Sequence, residues 1–63
     1  MENMLVDELK MNVGKIVVFW IQKLRFEGKI IIVDDTFLKY FDTHKDKERF
    51  VRISEIENLE VNE

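Results

Sequence analysis

The order of apolar and polar positions divides the chain into a short helical segment and a longer segment with the two-residue period of β-strands. Near the start, Met4, Leu5 and Leu9 form a narrow apolar stripe at helical spacing. The segment is acidic in its first half and basic near its end, which suits the helix dipole, and Gly14 follows it. This pattern predicts a helix over about residues 3–12.

From residue 15 onward the pattern becomes that of β-strands. Runs rich in β-branched and aromatic residues alternate with turn-like or charged segments, and they predict strands over about residues 15–22, 25–34, 36–42, 48–53 and 57–61. Gln22 and Lys23 are expected to form a tight turn. In the third strand, Phe37 is expected to point inward, together with Tyr40 or Phe41. The sequence therefore predicts a mostly β fold, a short helix followed by a five-stranded, strongly bent antiparallel barrel of SH3-like type.

Gly28 is interpreted as the corner of the second strand. A strand that bends sharply to serve two halves of a barrel needs a residue without a side chain at the bend. The alternative is an ordinary strand glycine beside a turn.

Two strand segments are apolar on both faces, residues 16–21 and 30–33. A small antiparallel sheet normally has one solvated face, so the second face of these strands needs a cover. The helix has too narrow an apolar stripe to provide it. Neighbouring subunits are therefore expected to cover this surface, with a fully packed monomer as the alternative.

The composition of the chain limits how it can be stabilised and which metal sites it can form. The chain has 63 residues, no cysteine and a single histidine, His44. A chain of this length buries a small core, and without cysteine it has neither disulfides nor thiolate metal sites. Oligomerisation is therefore the expected source of additional stability, and neither a metal nor another cofactor is expected.

Charge is distributed unevenly along the chain. The net charge of −3 disfavours nucleic-acid binding through bulk charge alone. Residues 1–14 sum to −2, residues 15–52 to +3 and residues 53–63 to −4, so a mildly basic centre lies between acidic ends. The N-terminus lacks the pattern of a signal peptide, and no apolar run is long enough to span a bilayer. We therefore expect a soluble, cytoplasmic protein without a membrane partner.

The motifs of the chain resemble those of the Sm-like (LSm) family. The first family motif is an apolar alternating strand that leads through a glycine to an aspartate, and it is matched by Val17, Phe19, Ile21, Phe26, Gly28, Ile30, Val33 and Asp34. The second is a strand, a short turn and a final strand, and it is matched by Val51, Arg52, Ile56 and Leu59. The resemblance covers about residues 5–61.

The resemblance implies a ring of identical subunits that binds RNA near its centre. Neighbours would join by pairing the fourth strand of one copy with the fifth strand of the next, in a ring of about five to seven copies. Single-stranded, often uridine-rich RNA would bind at the loops that follow the second and fourth strands. The candidate interface residues are Trp20, Phe50, Val51, Leu59 and Val61.

The RNA site implied by the resemblance is only partly retained. Asp34 matches the family's aspartate, and Arg52 matches the arginine of the second motif. The base-stacking position falls on Thr36, the usual asparagine on Leu38, and a frequent glycine on Ile53. The pocket therefore lacks the usual ring and asparagine, and the candidate RNA-binding residues are Asp34, Asp35, Thr36 and Arg52.

The same residues also have structural interpretations. Asp34 and Asp35 point to opposite sides of a strand, so they do not naturally share a metal ion and are expected to bond the backbone of the turn. Arg52 is expected to pair with Asp34, with phosphate contact as the alternative. Most aromatic residues are expected in the core or an interface. No two residues are placed for catalysis, so an enzyme is not expected.

Three hypotheses for the function follow. The first is an Sm-like ring that binds RNA, or serves as an RNA-associated scaffold, through a non-standard base pocket. The second is a ring of the same fold that binds protein or has a purely structural role. The third is a monomeric SH3-like adaptor.

Overall fold

The computed structural model describes residues 4–62, which form one helix followed by five strands. The elements are α1 (Met4–Met11), β1 (Ile16–Ile21), β2 (Leu24–Val33), β3 (Phe37–Asp42), β4 (Lys47–Arg52), a single 3₁₀ turn (Ile53–Glu55) and β5 (Asn58–Asn62). The predicted mostly β fold is confirmed, and every strand lies within one residue of its predicted bounds. Residue 3, where the helix was predicted to begin, is outside the described part of the chain.

All five strands belong to one antiparallel sheet, in the order β4-β3-β2-β1-β5. The first four strands follow one another as a meander, and β5 returns to pair with β1. The long strand β2 changes partner along its length, because residues 24–29 pair with β1 whereas residues 28–33 pair with β3. Such a change of partner is typical of a strongly bent sheet, and the strand order makes β4 and β5 its two edges.

Gly28 lies where β2 passes from one partner to the other, as predicted for the corner. A Cβ atom at this position would be 2.5 Å from the Tyr40 ring and in collision with the carbonyl oxygen of Phe41. Glycine is therefore required by the close approach of β3 to β2.

The core lies between the inner face of the sheet and α1. Phe19 is at its centre: Tyr40 packs edge-on against it with ring centroids 5.0 Å apart, and Phe26 stacks on it at 5.7 Å. The Tyr40 hydroxyl is buried without a hydrogen-bond partner among residues 4–62, and burial raises the pKa of Tyr40. The buried cluster consists of Val6, Leu9, Val17, Phe19, Ile30, Leu38, Tyr40, Ile53 and Ile56.

The inward position predicted for Phe37 is wrong. Phe37 is 41% exposed and points outward, whereas Leu38 and Tyr40 are fully buried. Phe37 pairs with Arg52 and Leu38 pairs with Val51, and this register places Leu38 over the core. Tyr40 is the predicted aromatic residue that does point inward.

The turn between β1 and β2 is the two-residue hairpin predicted from the sequence. Gln22 and Lys23 have φ angles of 52° and 68°. Positive φ at both positions is typical of a type I′ turn, whose twist matches that of the strands it joins.

The side of β1 that faces away from the core is covered in part by the chain itself. Val18 is only 4% exposed, although it lies on the face opposite the core, between Glu27 of β2 and Glu60 of β5. The stems of long charged side chains can shield an apolar neighbour in this way. Trp20 on the same face is half-buried. Ile16, on the same face, is 39% exposed, so the chain covers this face only in part.

Candidate functional site

Asp34 organises the turn between β2 and β3. Its Oδ1 accepts hydrogen bonds from the backbone nitrogen of Phe37 at 2.6 Å and of Thr36 at 2.7 Å. These two bonds favour the charged carboxylate, so the pKa of Asp34 lies below its ordinary value. The backbone nitrogen of Asp34 also donates to the carbonyl oxygen of Phe37 at 3.0 Å. The predicted role of Asp34 in the turn is confirmed.

The end of β4 is joined to this turn. The backbone nitrogen of Ile53 donates to the carbonyl oxygen of Thr36 at 2.8 Å, and Arg52 lies opposite Phe37 in the register of β3 and β4. The structure therefore brings Asp34, Thr36 and Arg52 to the same end of the sheet.

The predicted ion pair between Arg52 and Asp34 is wrong. The guanidinium carbon of Arg52 lies 5.8 Å from the centre of the Phe37 ring, and Arg52 has no ion pair with any residue between 4 and 62. Asp34 turns its carboxylate into its own turn, whereas Arg52 points out of the sheet. The positive charge of Arg52 is therefore available to a ligand.

The turn role expected for Asp35 is wrong, because its carboxylate contacts α1 and not the backbone of the turn. Its Oδ1 lies 3.3 Å from Nζ of Lys10, and the Asp35 side chain is 92% exposed. A pair this exposed adds little stability. It does show that α1 lies beside the β2–β3 turn and that Asp34 and Asp35 have different partners.

Two of the positions that the resemblance to the Sm-like family assigns to base reading are closed in this chain. Leu38, expected at the asparagine position, is fully buried, and Ile53, expected at the glycine position, is 1% exposed. Thr36 is exposed but has no ring. These residues do not form a pocket that could select uridine by stacking and by hydrogen bonds to its edge.

The candidate interface residues lie mostly on the two sheet edges. Phe50 and Val51 belong to β4, and Leu59 and Val61 belong to β5. Val51 and Leu59 pack against the core, whereas Phe50 is 67% exposed and points outward. Trp20 lies on β1, between two paired strands, so it is not at an edge.

Asp42 is a buried carboxylate that the sequence pattern did not identify. Its Oδ1 accepts hydrogen bonds from the backbone nitrogens of His44 at 2.9 Å and Lys45 at 3.1 Å, and its Oδ2 lies 3.4 Å from Nη1 of Arg49. Burial is the largest influence and raises the pKa of Asp42, but the hydrogen bonds to Lys45, His44 and Arg49 together outweigh it and hold the pKa below its ordinary value. An aspartate just before a charged turn was the available signal.

A group of aromatic and charged side chains that the sequence pattern did not identify covers the outward side of β2, β3 and β4. We call it the outer face, and its residues are Lys29, Ile32, Phe37, Lys39, Phe41, Glu48, Phe50 and Arg52. Arg52 lies over the Phe37 ring at 5.8 Å, and Nζ of Lys39 lies 5.6 Å from the centre of the Phe50 ring. Lys39 also forms an ion pair with Glu48 at 3.0 Å. The alternation of aromatic and charged residues was visible in the sequence, but Phe37 was assigned to the wrong face.

Within residues 4–62, no group of three or more His, Asp or Glu side chains is arranged to hold a metal ion. Over the same residues, no helix has the length and apolar character needed to cross a membrane. Comparison with models of known protein families, with curated proteins and with solved structures gave no match.

Proposed function

We propose that this chain is the subunit of an Sm-like homo-oligomeric ring that binds single-stranded RNA beside the β2–β3 turn. The observation that supports this is that β4 is both an edge of the sheet and a neighbour of the β2–β3 turn. This strand is an open edge of the sheet, and its last residue, Arg52, lies beside the turn that contains Asp34, Asp35 and Thr36. Association through this edge would arrange one such turn per subunit around a common axis. The cytoplasmic location expected from the sequence is part of the proposal.

The charges on the two sheet edges support pairing between different edges. β4 carries three basic residues, Lys47, Arg49 and Arg52, and one acid, Glu48. The charged residues at β5 are both acids: Glu60 lies within the strand and Glu57 directly precedes it. Pairing β4 with β4 would bring like charges together, whereas β4 against β5 joins opposite charges. Such a head-to-tail contact is heterologous, and it produces a ring when the rotation per subunit closes. We propose five to seven copies.

The apolar residues of the edges support the same pairing. Val51 of β4 and Leu59 of β5 are half-buried against the core of their own sheet. Val61, also on β5, is partly exposed. When β4 of one copy pairs with β5 of the next, these side chains extend both cores across the contact and lose their remaining exposure to water.

RNA recognition in this proposal depends on charge more than on base reading. Leu38 and Ile53 are in the core, so Thr36, Asp35 and Arg52 are the candidate residues that face a ligand. A ring would repeat Arg52 once per subunit and concentrate positive charge that a single chain of net charge −3 lacks. We therefore expect weak base preference and an affinity that falls steeply with salt.

A ring that binds protein, or that is purely structural, is the second candidate. It is favoured by the burial of Leu38 and Ile53, which leaves the family's base-reading positions without a polar group. It shares the ring with the first candidate and differs in the absence of RNA binding.

Two measurements on the full chain test the proposal. Native mass spectrometry gives the subunit number, and fluorescence anisotropy with labelled hexa-uridine and hexa-adenosine RNA gives affinity at low and moderate salt. The Arg52→Ala variant should bind both RNAs more weakly and lower the slope of log affinity against log salt by about one for each phosphate that it no longer neutralises. Arg25→Ala removes an equally charged, exposed residue of β2 and serves as the control.

The outcomes separate the three hypotheses. A monomer at all concentrations would contradict the ring and favour the SH3-like adaptor. A ring that binds neither RNA at low salt would contradict RNA binding and favour the second candidate. Equal reductions in affinity for Arg52→Ala and Arg25→Ala would show general charge attraction without a site at the turn.

A further inference from the structure

The outer face carries two exposed aromatic rings, and we propose that it is a stacking platform for bases of single-stranded RNA. This inference rests on the proposed function and adds a second contact surface to it, on the outward side of β3 and β4. Phe50 and Phe37 would each stack on one base, and Arg52 and Lys39 would contact the phosphates beside them.

Exposure of the two rings is the first observation behind the platform. Phe50 is 67% exposed and Phe37 is 41% exposed, although most aromatic residues of a small domain are in its core. Each ring has a cation within 6 Å of its centre, Arg52 at Phe37 and Lys39 at Phe50. Stacking on an aromatic ring does not depend on base identity, because every base has a π-face.

Charge complementarity identifies the occupant as a polyanion. The outer face has three cations, Lys29, Lys39 and Arg52, against one acid, Glu48, so its net charge is +2 whereas the whole chain has −3. Lys39 is engaged by Glu48, but Arg52 has no ion pair with any residue from 4 to 62. A second copy of the same face would bring two net positive surfaces together, which disfavours a face-to-face dimer.

The register of β3 and β4 sets the spacing of the two rings. Phe37 pairs with Arg52, and Lys39 pairs with Phe50, so the two rings are diagonal neighbours on the same side of the sheet. Diagonal neighbours of an antiparallel pair are about 7–8 Å apart, which suits two successive bases that have left their mutual stack. Arg52 and Lys39 occupy the other two corners of this four-residue square. Each lies next to a ring and within reach of the phosphates of the bound RNA.

The test compares RNA with the same backbone without bases. Labelled hexa-adenosine RNA, an abasic ribose-phosphate hexamer and the corresponding deoxy-adenosine hexamer are titrated at low salt with the full chain. The variants are Phe50→Leu, which keeps an apolar side chain but removes the ring, and Phe50→Trp, which keeps an aromatic ring. Leu24→Ala, at an exposed apolar position near the β1–β2 turn, is the control. Native mass spectrometry of each variant shows whether the oligomer is retained.

We expect Phe50→Leu to weaken hexa-adenosine binding roughly 5- to 150-fold and to leave binding of the abasic strand unchanged. Phe50→Trp should bind hexa-adenosine at least as tightly as the wild type, and Leu24→Ala should bind normally. The wild type should bind RNA at least as tightly as DNA; tighter binding of the deoxy strand would overturn the assignment to RNA.

Failure of the platform can be distinguished from failure of the proposed function. If Phe50→Leu binds hexa-adenosine like the wild type while Arg52→Ala binds it more weakly, the platform is wrong and the site at the turn stands. If Phe50→Leu breaks the oligomer, Phe50 is an interface residue and the platform is overturned. If the wild type binds none of the strands at low salt, both proposals fall.

Discussion

Replacing Gly28 by alanine tests whether the bend of β2 depends on close approach of two strands. The new Cβ atom would lie 2.5 Å from Cδ2 of Tyr40, 3.1 Å from the carbonyl carbon of Phe41, and in collision with that carbonyl's oxygen. Tyr40 is fully buried, so its ring has little room to move. The carbonyl group of Phe41 is backbone, so it yields only if β3 moves away from β2.

The expected cost follows from these contacts. Adding a methyl group to a packed core costs about 1–3 kcal/mol, and a shift of β3 weakens ladder hydrogen bonds worth about 1 kcal/mol each. Alanine is less flexible than glycine in the unfolded chain, so the substitution also stabilises the folded state by about 0.5–1 kcal/mol. With one ladder hydrogen bond weakened, the net loss is about 1–3.5 kcal/mol. A domain of this size has about 3–9 kcal/mol in total, so the Tm should fall by about 5–25 °C.

Urea unfolding followed by circular dichroism, at one fixed protein concentration, measures the free energy of unfolding. Lys29→Ala, at the next and exposed position of β2, is the control and should change that free energy by less than about 0.5 kcal/mol. Gly28→Val should be more destabilising than Gly28→Ala. If Gly28→Ala unfolds at the same urea concentration as the wild type, β2 and β3 do not depend on their close approach at this residue.

Three further changes test other parts of the structure. Tyr40→Phe removes a buried, unpartnered hydroxyl, so the free energy of unfolding should stay equal or rise by up to about 1 kcal/mol; a measurable decrease would reveal a missing partner. The lowered pKa of Asp42 means that its stabilisation is present above the ordinary carboxyl pKa and is lost as pH falls through the lower folded value. Asp42→Asn should therefore lower stability at neutral pH and flatten the further loss in acid, as urea titrations at several pH values would show. Replacing Gln22 and Lys23 by Asn-Gly should raise the Tm, because both positions have positive φ; an unchanged or lower Tm would contradict this.

The positions of the strands could be predicted from the sequence, but the face of each side chain could not. In β3 the run from Phe37 to Phe41 has apolar residues in both phases, so alternation alone does not decide which phase is buried. The decision comes from the register, in which Leu38 lies between Val33 of β2 and Val51 of β4. The predicted ion pair of Arg52 was wrong for a related reason, because the local turn already uses the carboxylate of Asp34.

The candidate site shows the same division between local and long-range information. The turn role of Asp34 depends on residues two and three positions later, so it could be predicted locally. The buried position of Asp42 and the pairing of rings with cations on the outer face depend on where β3 meets β4, about ten residues apart in the chain. Such relations require the register, which the sequence pattern leaves open.

The strand order also has a consequence for how the chain folds. Among residues 4–62, three of the four strand pairings join consecutive strands, and only the pairing of β5 with β1 closes a long loop. Long-range pairing costs more chain entropy before contacts form, so we expect the meander to form first and β5 to dock last. Amide hydrogens of β5 should then exchange with solvent faster than those of β2. Because β5 is also an edge of the sheet, a neighbour that pairs with it would slow this exchange, and the last step of folding would be coupled to the first step of assembly.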